Sequence, residues 1–224
     1  MRVTIVLMMA LATAAFAEKK SKTAERLDDA AVMFSEIMGT PDKSIPQDLL
    51  EKSQCVVLVP GLKKGAFIIG GKYGKGFATC RKESGGWSAP AAMRVEGGSF
   101  GFQIGGSETD VVMLVMNESG MKKLMSSKFT LGGEASVAAG PVGRESTAQT
   151  DAWMRAEILS WSRSRGVFAG ISLQGATLRQ DVDDNQEMYG RKYETPDLVK
   201  GDVAAPADAA KLMGLLNKYS AKKG

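Results

Sequence analysis

Residues 97–144 read GGSFGFQIGGSETDVVMLVMNESGMKKLMSSKFTLGGEASVAAGPVGR, and ten glycines fall among their apolar residues without the spacing of a phosphate loop or a catalytic turn. Glycine at that density is a demand of the backbone. Over Ser99–Gly105, alternation places Phe100, Phe102 and Ile104 on one face and Gly101, Gln103 and Gly105 on the other. One face carries aromatics. The other is nearly bare backbone, which admits a second strand, a sharp bend or a ligand.

Outward from this stretch the apolar period stays at two. Cys55–Val59, Ala66–Gly71, Gly76–Arg81, Ala91–Glu96, Ser99–Gly105 and Val111–Met116 read as strands, punctuated by Pro60-Gly61, Gly74, Gly85-Gly86, Gly97-Gly98 and Gly105-Gly106. Asn117 is placed to cap a short helix through Met125. Strand patterns resume at Lys128–Leu131, Ala135–Ala139, Glu157–Arg163, Val167–Leu173 and Ala176–Arg179. Helices bracket them. Ala24, Leu27, Ala31, Phe34 and Met38 recur at three and four in a helix that stops at Gly39, and Ser44-x-x-Gln47 with Pro46 reads as a capping box opening a second helix. Asp183–Tyr189 closes at Gly190, Thr195–Pro206 reads as a polar linker, and a final helix lines up Ala209, Leu212, Met213, Leu216 and Tyr219. Short strands at hairpin spacing between terminal helices predict an α+β fold: a strongly curved antiparallel β-sheet or partly closed barrel.

Arg2, the apolar run Val3–Ala14 and Ala15-Phe16-Ala17 ahead of Glu18-Lys19-Lys20 have the layout of a secretory signal. Residues 1–17 are therefore expected to be removed, leaving a periplasmic or extracellular protein, soluble or peripherally membrane-associated. The run falls short of the ~20 residues that cross a bilayer. The 224 residues less these 17 leave 207, which suits one domain over 18–194 followed by a linker and amphipathic helix over 195–224. A formal charge of +4 with no dense basic stripe argues against a nucleic-acid partner.

Cys55 and Cys80 are the two cysteines, and an exported chain permits a disulfide between them. Such a bridge is worth ~3 kcal/mol in the chain-entropy account. A meander of strands near 55–59, 66–71 and 76–81 would instead put the two at opposite ends, as buried apolar thiols. Both readings stand at this point.

The chain has no histidine, which removes Ser-His-Asp and Cys-His nucleophile systems and imidazole-dependent zinc sites. No metal or other cofactor is expected. Glu108, Asp110, Glu134, Glu145, Asp151 and Glu157 are carboxylates that sequence cannot pair face to face, and Asp110 and Glu134 are placed to bond turn amides. Gly70–Gly76 matches neither phosphate-loop pattern and reads as a hairpin with Lys72 and Lys75 at its tip. Gly140-Pro141-Val142-Gly143 reads as a rigid turn presenting Arg144. With Lys63, Lys64, Arg163 and Arg165 these are the basic residues at strand ends and turns.

The motifs GGSFGFQIG, TDVVMLVMNESGMKKL, FTLGGEASVAAGPVGR, ILSWSRSRGVFAGISLQGATL and DNQEMYG, in this order, resemble the SYLF domain family over Ala24–Gly190. The resemblance implies a lipid-binding module, with phosphoinositide and actin binding in eukaryotic members. For this chain it implies a non-enzymatic binder of phospholipid or another amphiphile exported to the cell envelope. The alternative is a structural or protein-partner module of the envelope. Lys72, Lys75, Arg144, Arg163 and Arg165 are the candidate headgroup ligands, since arginine forks and lysines at an anionic surface favour phosphate. The first helix carries Glu25, Asp28, Asp29 and Glu36 against Arg26, an acidic face that anionic lipid repels, so Phe34 and Met38 are expected to pack on the sheet. An exported chain does not meet actin.

Overall fold

The computed structural model describes residues 20–40, 44–66, 69–100, 105–143, 153, 155–164 and 166–220. The expected secretory segment and residues 101–104 of the glycine-rich strand lie outside these. The apolar run Cys55–Val59 opens β1 (Cys55–Ala66), which pairs antiparallel with β2 (Ile69–Cys80). β3 (Ala91–Phe100) lies beside β2, and β4 (Gly105–Val115) lies beside β1. The sheet then grows outward. β7 (Ile158–Ser164) adds to β4, and β9 (Thr177–Gln180) adds to β3. β5 (Lys128–Thr130) pairs with β9, while β6 (Val137–Ala139) and β8 (Val167–Gly170) share the far side of β7.

β5 and β6 therefore sit at opposite ends of the strand order, yet only residues 131–136 separate them in sequence. Six residues reach about 20 Å at most. The two edges must approach, and the sheet curls into a half-barrel with Leu131 bridged to Ala135 across the gap. The β6–β7 pair is parallel, so the sheet is mixed and not wholly antiparallel.

Three expectations about the strands need correction. Gly97-Gly98 and Gly105-Gly106 do not separate strands: β3 runs through the first pair and β4 begins with the second. The segments 66–71 and 76–81 are one strand, β2, with Gly70–Gly76 in its interior and not at a turn. Glycine keeps both ladder groups, so where a neighbouring strand supplies partners it weakens a strand without ending it. Because β1 and β2 form one long hairpin, Cys55 lies opposite Cys80 and the two are joined by a disulfide.

Both faces of the central strands are buried. On the outer face, Val56, Leu58, Phe77, Val112, Leu114 and Trp161 meet Leu27, Phe34 and Ile37 of α1 (Lys22–Met38), Leu50 of α2 (Gln47–Lys52), and Leu212 and Leu216 of α6 (Ala210–Ser220). On the inner face, Val57, Val59, Ala78, Met93, Met113, Phe129 and Leu178 pack with Leu124 of α3 (Glu118–Leu124). Each such side chain contributes about 2 kcal/mol by leaving water. α1 starts where the Ser21 side chain accepts the Ala24 amide, and α3 where Asn117 accepts that of Gly120. α2 begins at Gln47 with Pro46 as its cap, so Ser44 does not form the expected capping box.

The segment read as a linker holds α5 (Thr195–Lys200), opened by a Glu194–Asp197 capping box, with Leu198 and Val199 buried in the inner core. Two apolar residues in one and a half turns are too few to show a period. Gly140 is fixed by packing: a Cβ there would lie 2.0 Å from a Trp161 ring carbon, while the Trp161 indole N–H donates to the Pro141 carbonyl.

Replacing both Cys55 and Cys80 by alanine is expected to lower unfolding free energy by about 3 kcal/mol or more, measured by denaturant melts. Equal midpoints would show the cross-link to be idle. A second expectation concerns acid. α4 (Val182–Tyr189) meets α1 where Thr23 donates to Glu187 at 2.6 Å, and that bond holds the Glu187 carboxyl below its ordinary value. A lowered folded value means a contribution present above the ordinary carboxylate range and lost as pH falls through the folded one. Thr23→Val should flatten the fall in melting midpoint between about pH 5 and 3; an unchanged profile would count against this contact.

Candidate functional site

Past Val59 the sheet changes character. β1 shifts register between Val59 and Leu62, at Pro60-Gly61, where Gly61 has φ +61° and donates its N–H to the Asp110 carboxylate at 3.0 Å. A side chain at Gly61 would collide with Glu108, whose carboxylate oxygen lies 2.5 Å from a Cβ placed there. This bulge ends the doubly buried part of β1.

Beyond it, Gly106, Gly65, Gly71 and Gly98 form one lateral row across β4, β1, β2 and β3. A Cβ on Gly65, Gly71 or Gly98 would stand in open space, so the row is bare backbone facing solvent. Lys63, Tyr73, Glu96 and Glu108 occupy the next row but one and share its face. Lys64 and Lys72 lie opposite one another on the other face. Along β2, Lys72 alternates onto the same side as Ala78 and Cys80, which places this pair at the mouth of the half-barrel.

Like charges directly opposed across strands repel. Burial first and the Lys72 charge second push the Lys64 ammonium below its ordinary value. Ion pairs among the described residues include neither lysine. An anion seated between them would relieve both the desolvation and the repulsion.

Lys75 points to the outer face, three residues from Lys72 and hence on the opposite side. It lies 2.9 Å from Asp181 and 2.7 Å from Asp184, and Arg26 of α1 reaches Asp184 at 2.6 Å. Burial alone would lower the Lys75 ammonium, but its hydrogen bonds to Asp184 and Asp181 hold it above the ordinary value. Arg163 pairs with Asp110 at 2.7 Å and with Glu36. Lys75 and Arg163 thus line a cleft of about 1130 Å³ between α1 and the bulge, where their charges are already matched. Arg144 and Arg165 lie outside the described residues. Of the three described candidates, Lys75 and Arg163 share a cleft, and Lys72 faces away from it.

Three of the six carboxylates, Asp110, Glu134 and Glu157, have structural roles, while Glu145 and Asp151 lie outside the described residues. Asp110 takes the Gly61 amide and Glu134 the Thr130 amide at 2.8 Å, as turn-bonding residues. Glu157 accepts from Ser119 and Ser136 and ties α3 to β6. The partners of Lys75 lie more than a hundred residues away, which no local spacing announces. Lys64, by contrast, was visible as a strand-end cation.

The chain is thus a half-barrel with a packed apolar interior, cations at its mouth and a bare glycine row on the opposite face. The profile described as "Ysc84: Las17-binding protein actin regulator" matches residues 96–219, and the chain belongs to this family, the one its SYLF motifs resemble. The match extends past Gly190 and takes in α5 and α6, so the C-terminal helix is part of the family region. SH3 domain-containing YSC84-like protein 1 of Rattus norvegicus is 33% identical over 192 residues, covering 84% of this chain and 56% of that one. The Xenopus laevis protein of the same name is 33% identical over 187 residues, 81% and 55%. LAS seventeen-binding protein 3 of Saccharomyces cerevisiae is 30% identical over 192 residues, 84% and 41%. The chain spans about half the length of these curated relatives.

If Lys72 is the charge acting on Lys64, Lys72→Gln should raise the Lys64 titration midpoint yet leave it below that of an exposed lysine, since burial is the larger cause. NMR titration of the Lys64 side chain reads this directly. A midpoint unmoved by the substitution would mean the two ammoniums do not sense each other.

Proposed function

We propose that this chain is a non-enzymatic module that binds an anionic phospholipid or similar amphiphile at the mouth of its half-barrel, outside the cytoplasm. The observation that carries the reading is the Lys64–Lys72 pair at the mouth of the half-barrel: two opposed ammoniums on one face, one of them depressed by burial, with no carboxylate partner among the described residues. Phosphate bridges such a pair. The secretory layout of residues 1–17 and the Cys55–Cys80 disulfide support an oxidising compartment.

A protein partner is the second reading. It is favoured by the family's description as Las17-binding and by Val32 and Tyr73, which are 42% and 47% exposed in the α1 cleft. An exported chain does not meet the partners by which these relatives are described, so its partner would belong to the envelope.

Vesicle flotation separates the two. The mature chain should float with phosphatidylglycerol vesicles, float less as salt rises, and stay down with phosphatidylcholine. Lys64→Gln with Lys72→Gln should weaken binding by about 2 kcal/mol, roughly thirtyfold. Equal absence of flotation with both vesicles, alongside capture of an envelope protein that Tyr73→Ala abolishes, would replace the lipid reading with the protein one.

A further inference from the structure

The outer face carries a second set of cations that the mouth of the half-barrel does not share. Lys75 lies opposite Arg94, Arg94 opposite Arg179, and Arg179 opposite Lys128, so β2, β3, β9 and β5 place four cations in one lateral row. Two residues along, Glu96 lies opposite Thr177, and Thr177 opposite Thr130, on the same face.

Carboxylates neutralise this row unevenly. At the β2 end Asp181 and Asp184 hold Lys75 at hydrogen-bond distance. Further along, Glu96 stands 3.7 Å from Arg94 and 3.6 Å from Arg179, and Asp181 stands 3.6 Å from Arg94, all too long to be hydrogen bonds. The buried Nε–H of Arg94 faces the equally unpartnered Asp181 Oδ2, whereas the buried Nε–H of Arg179 has no acceptor among the described residues. Buried orphan donors are rare and expensive, and an anion is one of the groups that resolves them. Lys128 at the β5 end enters no ion pair among the described residues. Glu134 is committed to the Thr130 amide.

Arg179, Lys128, Thr130 and Thr177 line a cleft of about 490 Å³, with Gly97 and Gly98 along one side and the carboxylates of Glu96 and Glu134 also in its wall. It offers a guanidinium fork, an ammonium and two hydroxyls within two adjacent rows of strands. We propose that this cleft binds a phosphate group, with Arg179 and Lys128 matching its charge, the two threonine hydroxyls donating to its oxygens, and Glu96 yielding Arg179 to it. With Glu134 turned to the Thr130 amide and Glu96 displaced from Arg179, two positive charges and donors on several sides suit a dianionic tetrahedral group better than a planar carboxylate. The proposal does not rest on the lipid reading, because the Lys64–Lys72 pair opens on the other face.

Titration calorimetry of the mature chain with inorganic phosphate tests it. The wild type should bind saturably, Arg179→Gln and Lys128→Gln should each weaken binding about tenfold, and Glu96→Gln should tighten it by removing the competing carboxylate. Lys64→Gln with Lys72→Gln should leave it unchanged. No saturable binding below about 10 mM phosphate, or equal affinity in the wild type and both Arg179→Gln and Lys128→Gln, would overturn the site. Glu96→Gln guards against a folding artefact, since a damaged fold would not bind more tightly. Competition by phosphatidylglycerol vesicles identifies a lipid headgroup as the source of the phosphate, and its absence identifies a free phosphate; either upholds the site. Flotation and calorimetry read different variants, so one can fail without the other.

Discussion

Five consecutive residues, Cys55–Val59, must be kept from water on both sides at once. A strand of this kind is stable only with one apolar layer above it and another below. Val56 and Leu58 reach outward to α1, α2 and α6, while Cys55, Val57 and Val59 reach into the half-barrel. The curl follows. To enclose the inner residues the sheet must bend until its edge strands approach, and six residues between β5 and β6 hold them there. The terminal helices follow as well, because the outer residues need a cover that no further strand supplies.

At Pro60-Gly61 that requirement ends. Beyond the bulge the strands continue to pair, but they face solvent with lysines, glycines and a tyrosine in place of valines. Leu62 is the last side chain of β1 buried in the inner core, and past it backbone pairing carries the sheet. Its glycines are tolerated because hydrogen bonding to neighbours is intact and no core needs filling there. The molecule thus divides one ladder of strands between two tasks, a core that fixes shape and an extension whose surface is available.

Charge is divided in a comparable way. In the α1 cleft Arg26, Lys75 and Arg163 each have a carboxylate within hydrogen-bond reach, and these pairs hold α1 and α4 against the sheet. At the mouth of the half-barrel and along the β9–β5 side, cations stand without such partners among the described residues. Matched pairs read as construction. Unmatched ones are what the proposed binding role draws on, since a partly buried cation such as Lys64 costs stability while unpaired. The family to which the chain belongs is described by what it binds, which accords with surfaces of this second kind.

Period-two alternation and terminal amphipathic helices made the α+β class, the curvature and the inward packing of Phe34 legible from the residues, since side-chain direction along a strand or helix is set by local geometry. Asn117 as a cap and Asp110 and Glu134 as amide acceptors were legible for the same reason. Glycine misled: Gly74, Gly97-Gly98 and Gly105-Gly106 look like breaks because the signal for a turn and the signal for a bare strand are the same residue. Merging two expected strands into β2 then decided the Cys55–Cys80 pairing, and the inner core decided that 195–200 is a helix. Which lysines and arginines remain unneutralised was beyond any local reading. Asp181 meets Lys75, and Asp110 meets Arg163, only after the chain has closed loops of fifty residues or more. The sequence by itself determined which residues face inward, because that depends on neighbours two to four positions away; the tertiary structure alone decided which charges are spent, because Coulomb pairing depends on distance through space.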